Sequence, residues 1–125
     1  MKKVWRMITI VGLFFFLVGC GQSTTTKHED SSKKQTATIV LKEEGKEVAK
    51  KEVSFEKTES LLTVMETNFS VKVDKNFVSG IDEYQQDASQ NKYWLYDVNG
   101  KQPDVGAAEY FLKDGDTVTW SLDKL

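Results

Sequence analysis

The chain has 125 residues, which leaves room for one small domain and excludes a large multidomain enzyme. Its 17 Lys and Arg against 19 Asp and Glu give a net charge of −2, which becomes −5 without residues 1–19. This acidic balance argues against nucleic acid as a partner, because phosphate binding needs clustered basic side chains. The single Cys excludes an intramolecular disulfide, a CxxC redox pair and a cysteine-based zinc site.

The amino terminus has the layout of a secretory signal, with Lys2, Lys3 and Arg6 ahead of the uncharged residues 7–20. At helical rise this run spans about 21 Å, whereas the hydrocarbon core of a bilayer is ~30 Å thick. The shortfall favours a signal peptide over a permanent transmembrane helix.

The end of this run, Leu17-Val18-Gly19-Cys20, resembles the lipobox of bacterial lipoproteins. The resemblance implies that the Cys20 thiol is diacylated and that the chain is cleaved between Gly19 and Cys20, so that residues 1–19 are a lipoprotein signal peptide. Because each buried methylene contributes about 0.8 kcal/mol, two or three acyl chains anchor a protein firmly. We therefore expect a lipid anchor at Cys20 that holds the protein on the extracellular face of the cell membrane.

Residues 20–35 are predicted to form a flexible, disordered tether that starts at the lipidated Cys. The stretch contains no apolar side chain large enough to build a core, and such composition stays solvated. It gives a root-mean-square reach of about 20 Å, enough to lift a folded domain off the lipid headgroups. His28, the only His of the chain, lies in this tether and is assigned no role.

Residues 36–125 are predicted to fold as one domain that begins with a β-hairpin and a helix. Residues 36–41 (TATIVL) are β-branched and apolar, residues 43–46 (EEGK) supply a turn, and residues 47–56 alternate apolar with charged side chains. A capping hydroxyl then precedes an amphipathic helix over residues 60–68. Its apolar positions recur at helical spacing: Leu61, Leu62, Met65 and Phe69.

Short strand candidates follow the helix, and their order predicts the fold class. They are residues 70–73, 77–84, 93–98 and 117–122. Two strands, one helix and then several strands predict an α+β, β-grasp-like mixed sheet with one packed helix.

Residues 93–98 (YWLYDV) form an aromatic strand with two partly apolar faces. Alternation places Trp94, Tyr96 and Val98 on one face, opposite Tyr93, Leu95 and Asp97. A sheet with one helix hides only one face, so the other contacts a ligand, a partner or another part of the chain such as the loop at residues 82–91. Flat aromatic side chains suit recognition, and the candidate ligand-binding residues are Trp94, Tyr96 and Tyr110.

A tight turn precedes the last strand. Residues 112–120 (LKDGDTVTW) place Gly115 where a positive φ is needed, which indicates an architectural turn.

Several of these segments together resemble a family. They are residues 93–101 (YWLYDVNGK), 104–110 (DVGAAEY) and 112–116 (LKDGD), with Trp120. They resemble bacterial surface lipoprotein domains that are similar to the C-terminal β-domain of the cobalamin carriers transcobalamin and intrinsic factor. The resemblance implies a β-grasp-type ligand-binding fold over residues 36–125 and a corrinoid, such as cobalamin, as ligand. In the carriers a separate helical barrel completes the corrinoid site, and this chain has no room for one.

Two functions remain open, and neither is enzymatic. Residues 36–125 contain no His base, Cys nucleophile, Gly-rich phosphate loop or His and Cys spacing for zinc. Their acidic side chains could supply oxygen ligands to calcium but form no EF-hand pattern, so a solvated acidic face is the favoured interpretation, no metal site or resident cofactor is assigned, and metal binding is a third alternative behind the two that follow. These side chains are Asp82, Glu83, Asp87, Asp97, Asp104 and Glu109. The first function is a lipid-anchored, extracellular ligand-binding module for a corrinoid or a similar small molecule. The alternative is a protein–protein interaction module of a cell-envelope or transporter assembly.

Overall fold

The computed structural model describes residues 34–125, which form an α+β domain. Its strands are β1 (Gln35–Glu43), β2 (Lys46–Phe55), β3 (Val71–Asp74), β4 (Phe77–Ile81), β5 (Tyr84–Gln85), β6 (Lys92–Val98) and β7 (Thr117–Lys124), and its helix is α1 (Leu61–Asn68). Single 3₁₀ turns lie at Ala88–Gln90 and Ala107–Glu109. The predicted signal peptide, Cys20 and nearly all of the tether lie outside the described residues.

The larger sheet has the strand order β2-β1-β7-β6 and confirms the β-grasp-like prediction. The central strands β1 and β7 pair in parallel, with Val40 opposite Thr119, and both outer pairs are antiparallel. The β1–β2 hairpin turns through Glu44 and Gly45, whose φ angles of 47° and 79° match a type I′ turn. The predicted turn therefore sets the register of the first hairpin.

Helix α1 packs on one face of the larger sheet and begins where the sequence predicted. The Ser60 hydroxyl accepts a hydrogen bond from the backbone N–H of Thr63 and caps the helix. The buried side chains are Leu61, Val64 and Met65, whereas Leu62 is only partly buried. The core stripe therefore follows the spacing i, i+3, i+4, and the predicted place of Leu62 in it belongs to Val64.

The structure contains a second sheet that the sequence did not predict. Strands β3, β4 and β5 form a three-stranded antiparallel sheet instead of extending the first one. The strand predicted over residues 77–84 is split, because Asp82 adopts a φ of 53° and turns the chain back. Its N–H donates to the carbonyl of Ser70 and its carboxylate accepts from the N–H of Ser70, which fixes the turn against β3.

The core lies between the larger sheet, α1 and β4. Its largest fully buried side chains are Phe55, Ile39, Leu41, Leu61, Met65, Ile81, Leu122, Val64 and Val118. The segment that joins β6 to β7 crosses the same side of the sheet, and the carbonyl of Tyr110 accepts the N–H of Leu61. Among residues 34–125, no helix is long and apolar enough to cross a membrane.

Candidate ligand-binding cleft

Strand β6 presents its aromatic residues in the alternation that the sequence predicted. Trp94 and Val98 are buried on the inner face, toward the core, and Tyr96 is half-buried beside them. Leu95 lies on the outer face and is 38% exposed. On the inner face, Trp94 therefore takes the core position and Tyr96 reaches the surface.

The inner face of β6 carries an aromatic cluster with Trp120 of β7 at its centre. The ring centroids of Tyr96 and Trp120 lie 5.0 Å apart, and those of Trp94 and Trp120 lie 6.5 Å apart in an edge-to-face arrangement. Tyr110 packs edge-on against Tyr96 at 6.0 Å. These spacings are those at which aromatic rings attract one another, so the cluster forms a rigid wall.

A cleft of about 230 Å³ opens beside this wall, and we call it the β6 cleft. It is lined by residues 76–78 at the start of β4, residues 94–96 of β6, the loop at residues 102–107, and Trp120. The cleft therefore lies between the β3–β4 hairpin and the loop that follows β6. Its lining combines aromatic and aliphatic residues with the polar residues Asn76, Gln102 and Asp104.

Tyr96 holds the loop at residues 102–107 in place. Its hydroxyl donates a hydrogen bond of 2.6 Å to the carbonyl of Val105. Burial raises the pKa of Tyr96 to about 12, and the neighbouring Tyr110 adds to this shift, so the phenol is neutral and able to donate at physiological pH. Burial, followed by the charge of Asp116, also raises the pKa of Tyr110.

A polar network anchors the ends of the same connection. The buried carboxylate of Asp116 accepts hydrogen bonds of 2.8 Å from the Asn99 side-chain amide and from the Lys113 N–H. The side-chain Oδ1 of Asn99 accepts the N–H of Thr117, and Asn99 and Gly100 turn the chain with φ angles of 52° and 80°. The chain therefore leaves β6 and re-enters β7 at one fixed point.

The two indole N–H groups of the wall differ in their partners. The Trp94 Nε1–H donates to the carbonyl of Tyr84 at 3.2 Å, which ties β6 to β5. The Trp120 Nε1–H is buried and has no hydrogen-bond partner among the described residues, although Trp120 lines the cleft. A buried unpaired donor costs free energy, and functional sites are one place where it occurs.

The structure brings the three candidate residues together but gives them different positions. Trp94 and Tyr96 line the β6 cleft, with Trp94 at its buried end. Tyr110 instead lines a neighbouring cavity of about 330 Å³, which shares Gln102 and Pro103 with the cleft. The sequence reasoning missed Phe77, which lines the cleft and is 70% exposed. The available signal was its position directly after Asn76, a residue type that favours turns, and in the structure Lys75 and Asn76 both have positive φ.

The family of the chain follows from a match over this part of the sequence. Residues 58–124 match the family described as "Domain of unknown function (DUF4430)". The chain belongs to the DUF4430 family. The match runs from before α1 to the end of β7 and includes every residue that lines the β6 cleft.

Solved structures resemble this DUF4430 chain in fold. One, from Ruminococcus gnavus ATCC 29149, is described as "a putative metal binding protein"; it is 19% identical, with a TM-score of 0.58 over 73% of this chain and 98% of that one. Another is haptocorrin in complex with Cbi, which is 17% identical, with a TM-score of 0.60 over 75% of this chain and 26% of that one. The likeness to haptocorrin agrees with the resemblance to the cobalamin carriers. No curated protein sequence matches the chain.

A second groove, which we call the outer groove, flanks the opposite face of β6. It has a volume of about 390 Å³ and is lined by Asp74, Lys75, Phe77, Val78, Gln86, Tyr93, Trp94, Leu95 and Leu125. The outer face of the aromatic strand thus borders a groove, and Gln86 from the predicted covering loop forms part of its wall. Within residues 34–125, no group of three or more His, Cys, Asp or Glu side chains is placed to hold a metal ion.

Proposed function

We propose that this DUF4430 chain is a lipid-anchored, extracellular binding module that takes a small molecule in the β6 cleft, with a corrinoid as the first candidate and with no catalytic role. The carrying observation is the cleft itself, in which a rigid aromatic wall faces a loop that is held by the Tyr96 hydroxyl. Preformed concavities that combine apolar walls with a few polar groups are typical of small-molecule sites.

The size of the cleft restricts how a ligand is held. Its volume of about 230 Å³ lies below the roughly 300–1,000 Å³ of pockets that enclose drug-sized ligands. A corrinoid is larger than such ligands, so the cleft takes only one edge or substituent of it. The amides of Asn76 and Gln102 offer both donors and acceptors to a polar group on that edge.

The comparison with haptocorrin supports a binding site that is shared between this chain and a second protein. This chain corresponds to 26% of haptocorrin, the structure of which contains Cbi. The resemblance to the carriers implies a corrinoid sandwiched between two domains, and we propose that this chain supplies one side while a separate partner covers the other. We therefore expect weak binding by the chain alone. Metal binding forms no part of this proposal.

Equilibrium dialysis of the full-length chain in detergent micelles against cobinamide, read by corrinoid absorbance, tests the ligand. Phe77→Ala removes an exposed ring that lines the cleft and should weaken binding at least tenfold without loss of stability, since exposed substitutions contribute little to folding. Phe111→Ala is the matched control, because Phe111 is also exposed but does not line the cleft. Equal effects of the two variants, or no binding of cobinamide, would contradict the corrinoid proposal.

The anchor is tested separately at Cys20, in cells that process lipoproteins. Cys20→Ser should leave an unprocessed precursor that no longer incorporates labelled fatty acid, because the sole thiol of the chain is removed. A Ser variant that is still processed and still labelled would show that the anchor assignment is wrong.

The alternative function is an interaction module of a cell-envelope or transporter assembly, and exposed apolar side chains favour it. Phe77 and Leu125 are 70% and 72% exposed, and both line the outer groove. Exposed apolar surface beside a groove is typical of protein contact sites. Purification of cross-linked complexes from the native membrane, with Phe77→Ala as the comparison, would identify an envelope partner that depends on this surface.

A further inference from the structure

One edge of β6 pairs with β7, and hydrogen bonds close the opposite edge at both of its ends. Lys92 and Asp87 exchange two backbone hydrogen bonds, of 2.8 and 2.9 Å. Val98 and Lys101 exchange two more, of 2.8 and 3.1 Å. The backbone groups of Lys92 and Val98 are thus directed away from β7, toward the edge of the sheet.

The middle of the same edge is open. Because backbone direction alternates along a strand, Trp94 and Tyr96 share the orientation of Lys92 and Val98, whereas the odd-numbered residues of β6 bond to β7. The bond from the Asn99 N–H to the Thr117 carbonyl fits this alternation. Outside the paired strands, the hydrogen bonds of the described residues include none to the backbone N–H or C=O of Trp94 or Tyr96. Two donors and two acceptors therefore point away from β7 at strand spacing.

This open segment also lacks the charges that protect the outer strands β2 and β3. Residues 46–52 of the outer strand β2 include five charged side chains, and the four-residue strand β3 includes Lys72 and Asp74. Charged side chains on an edge oppose pairing with another chain. Between Lys92 and Asp97, residues 93–96 of β6 carry none. The absence of edge protection at the open segment favours pairing there.

Cavities border both faces of the open segment. The β6 cleft lies along residues 94–96 on the inner face, and the outer groove lies along residues 93–95 on the outer face. Side chains of a strand project alternately to the two faces of its sheet. A strand added at this edge would therefore direct successive side chains into the cleft and the groove, both of which Phe77 and Val78 help to line.

We infer that the open edge of β6 at Trp94–Tyr96 binds an extended polypeptide segment of a partner protein as an additional strand, with apolar side chains at successive positions. The unpaired backbone groups select an extended main chain, and the two apolar-lined cavities select its side chains. The closing bonds at Lys92 and Val98 limit the paired stretch to about five residues at 3.4 Å per residue. This inference does not depend on the small-molecule proposal.

The probe comes from a phage-displayed library of random heptapeptides, which is selected against the full-length chain in detergent micelles. The consensus of the enriched sequences is then synthesised as a peptide. Methylation of single peptide nitrogens should weaken binding at least tenfold at every second position only, because alternate N–H groups of an added strand face β6. In the complex, the amide protons of Trp94 and Tyr96 should become at least tenfold better protected from hydrogen exchange, whereas that of Leu95, already bonded to β7, should change little.

Two variants with matched exposure locate the peptide. Leu95→Lys introduces a charge at the open edge and should weaken peptide binding at least tenfold, whereas Val73→Lys on β3 should change it less than twofold. The two side chains are 38% and 40% exposed, so neither change should unfold the domain.

The inference fails if no peptide is enriched, if N-methylation shows no alternation, or if both lysine variants behave alike. It also fails if the free chain forms a dimer that Leu95→Lys abolishes, because the edge would then pair with a second copy. If the chain binds the consensus peptide as expected but does not bind cobinamide, only the small-molecule proposal is wrong.

Discussion

Removal of a single hydroxyl by Tyr96→Phe tests whether Tyr96 organises the β6 cleft. The substitution keeps the ring against Tyr110 and Trp120 and removes only the 2.6 Å hydrogen bond to Val105. An intramolecular hydrogen bond contributes about 0.5–1.5 kcal/mol net. Because Val105 is 41% exposed, water can solvate its freed carbonyl, and we expect a loss of about 0.5–1 kcal/mol. For a domain of this size the melting temperature would fall by about 2–8 °C.

Urea denaturation measures this loss, and hydrogen exchange shows where it arises. The amide protons of Val105 and Gly106 should exchange faster in the Tyr96→Phe variant, because the loop loses its attachment to β6. Tyr93→Phe removes a hydroxyl from the opposite face of the same strand and serves as the control. Equal stability of Tyr96→Phe and the parent chain, with unchanged exchange in the loop, would refute the anchoring role of this hydroxyl.

Three further measurements test the core, the loop anchor and the tyrosine environment. Leu61→Ala should cost about 2–5 kcal/mol in urea denaturation because Leu61 is fully buried, and Leu62→Ala, at a partly buried site, should cost less; the reverse order would misplace the helix. Asp116→Ala should cost about 1–3 kcal/mol, since it leaves two part-buried donors, the Lys113 N–H and the Asn99 side-chain amide, without their acceptor, and a loss under about 0.5 kcal/mol would contradict the anchor. The pKa of Tyr96 is about 12 in the folded state, against about 10 when unfolded, so its contribution to stability is complete below pH 10 and is lost as the pH rises toward 12. When tyrosine ionisation is followed by absorbance during an alkaline titration, the step at the highest pH should disappear in Tyr96→Phe.

Local pattern was sufficient to predict the elements that depend on neighbouring residues. The first hairpin, the capped helix and the alternation of β6 all follow from turn chemistry, a capping hydroxyl and a period of two. The second sheet depends instead on the left-handed conformation of Asp82, which a carboxylate residue adopts only when its surroundings select it. The register of β3 and β4 therefore could not be predicted from propensity.

The cleft was predictable only on its strand side. Trp94 and Tyr96 are evident in a strand pattern because their spacing assigns them to one face. The loop opposite them has no periodicity, and a contact nine residues away, from the Tyr96 hydroxyl to Val105, sets its position. The anchor between Asn99 and Asp116 spans 17 residues. Such contacts form only in the folded domain, so the sequence indicated the wall of the cleft but not its second side.

The shared position of the cleft and the open edge leads to a last prediction about both proposals together. Residues 94–96 line the cleft with their side chains and present the open edge with their backbone. A strand on the edge would direct alternate side chains into the cleft, where they would occupy the volume proposed for the small molecule. The two ligands should therefore compete, and by linkage each should weaken the other's affinity by the same factor.

Competition is measured by titrating the consensus peptide with and without saturating cobinamide. We expect at least a tenfold loss of peptide affinity, and the reciprocal titration should give an equal factor. Peptide and cobinamide that bind independently would show that one of them lies elsewhere. Leu95→Lys and Phe77→Ala then show which ligand binds elsewhere, because both residues line the β6 cleft and the outer groove, Leu95 from β6 and Phe77 from β4. A peptide insensitive to Leu95→Lys is not bound at β6, and cobinamide insensitive to Phe77→Ala is not bound in the cleft.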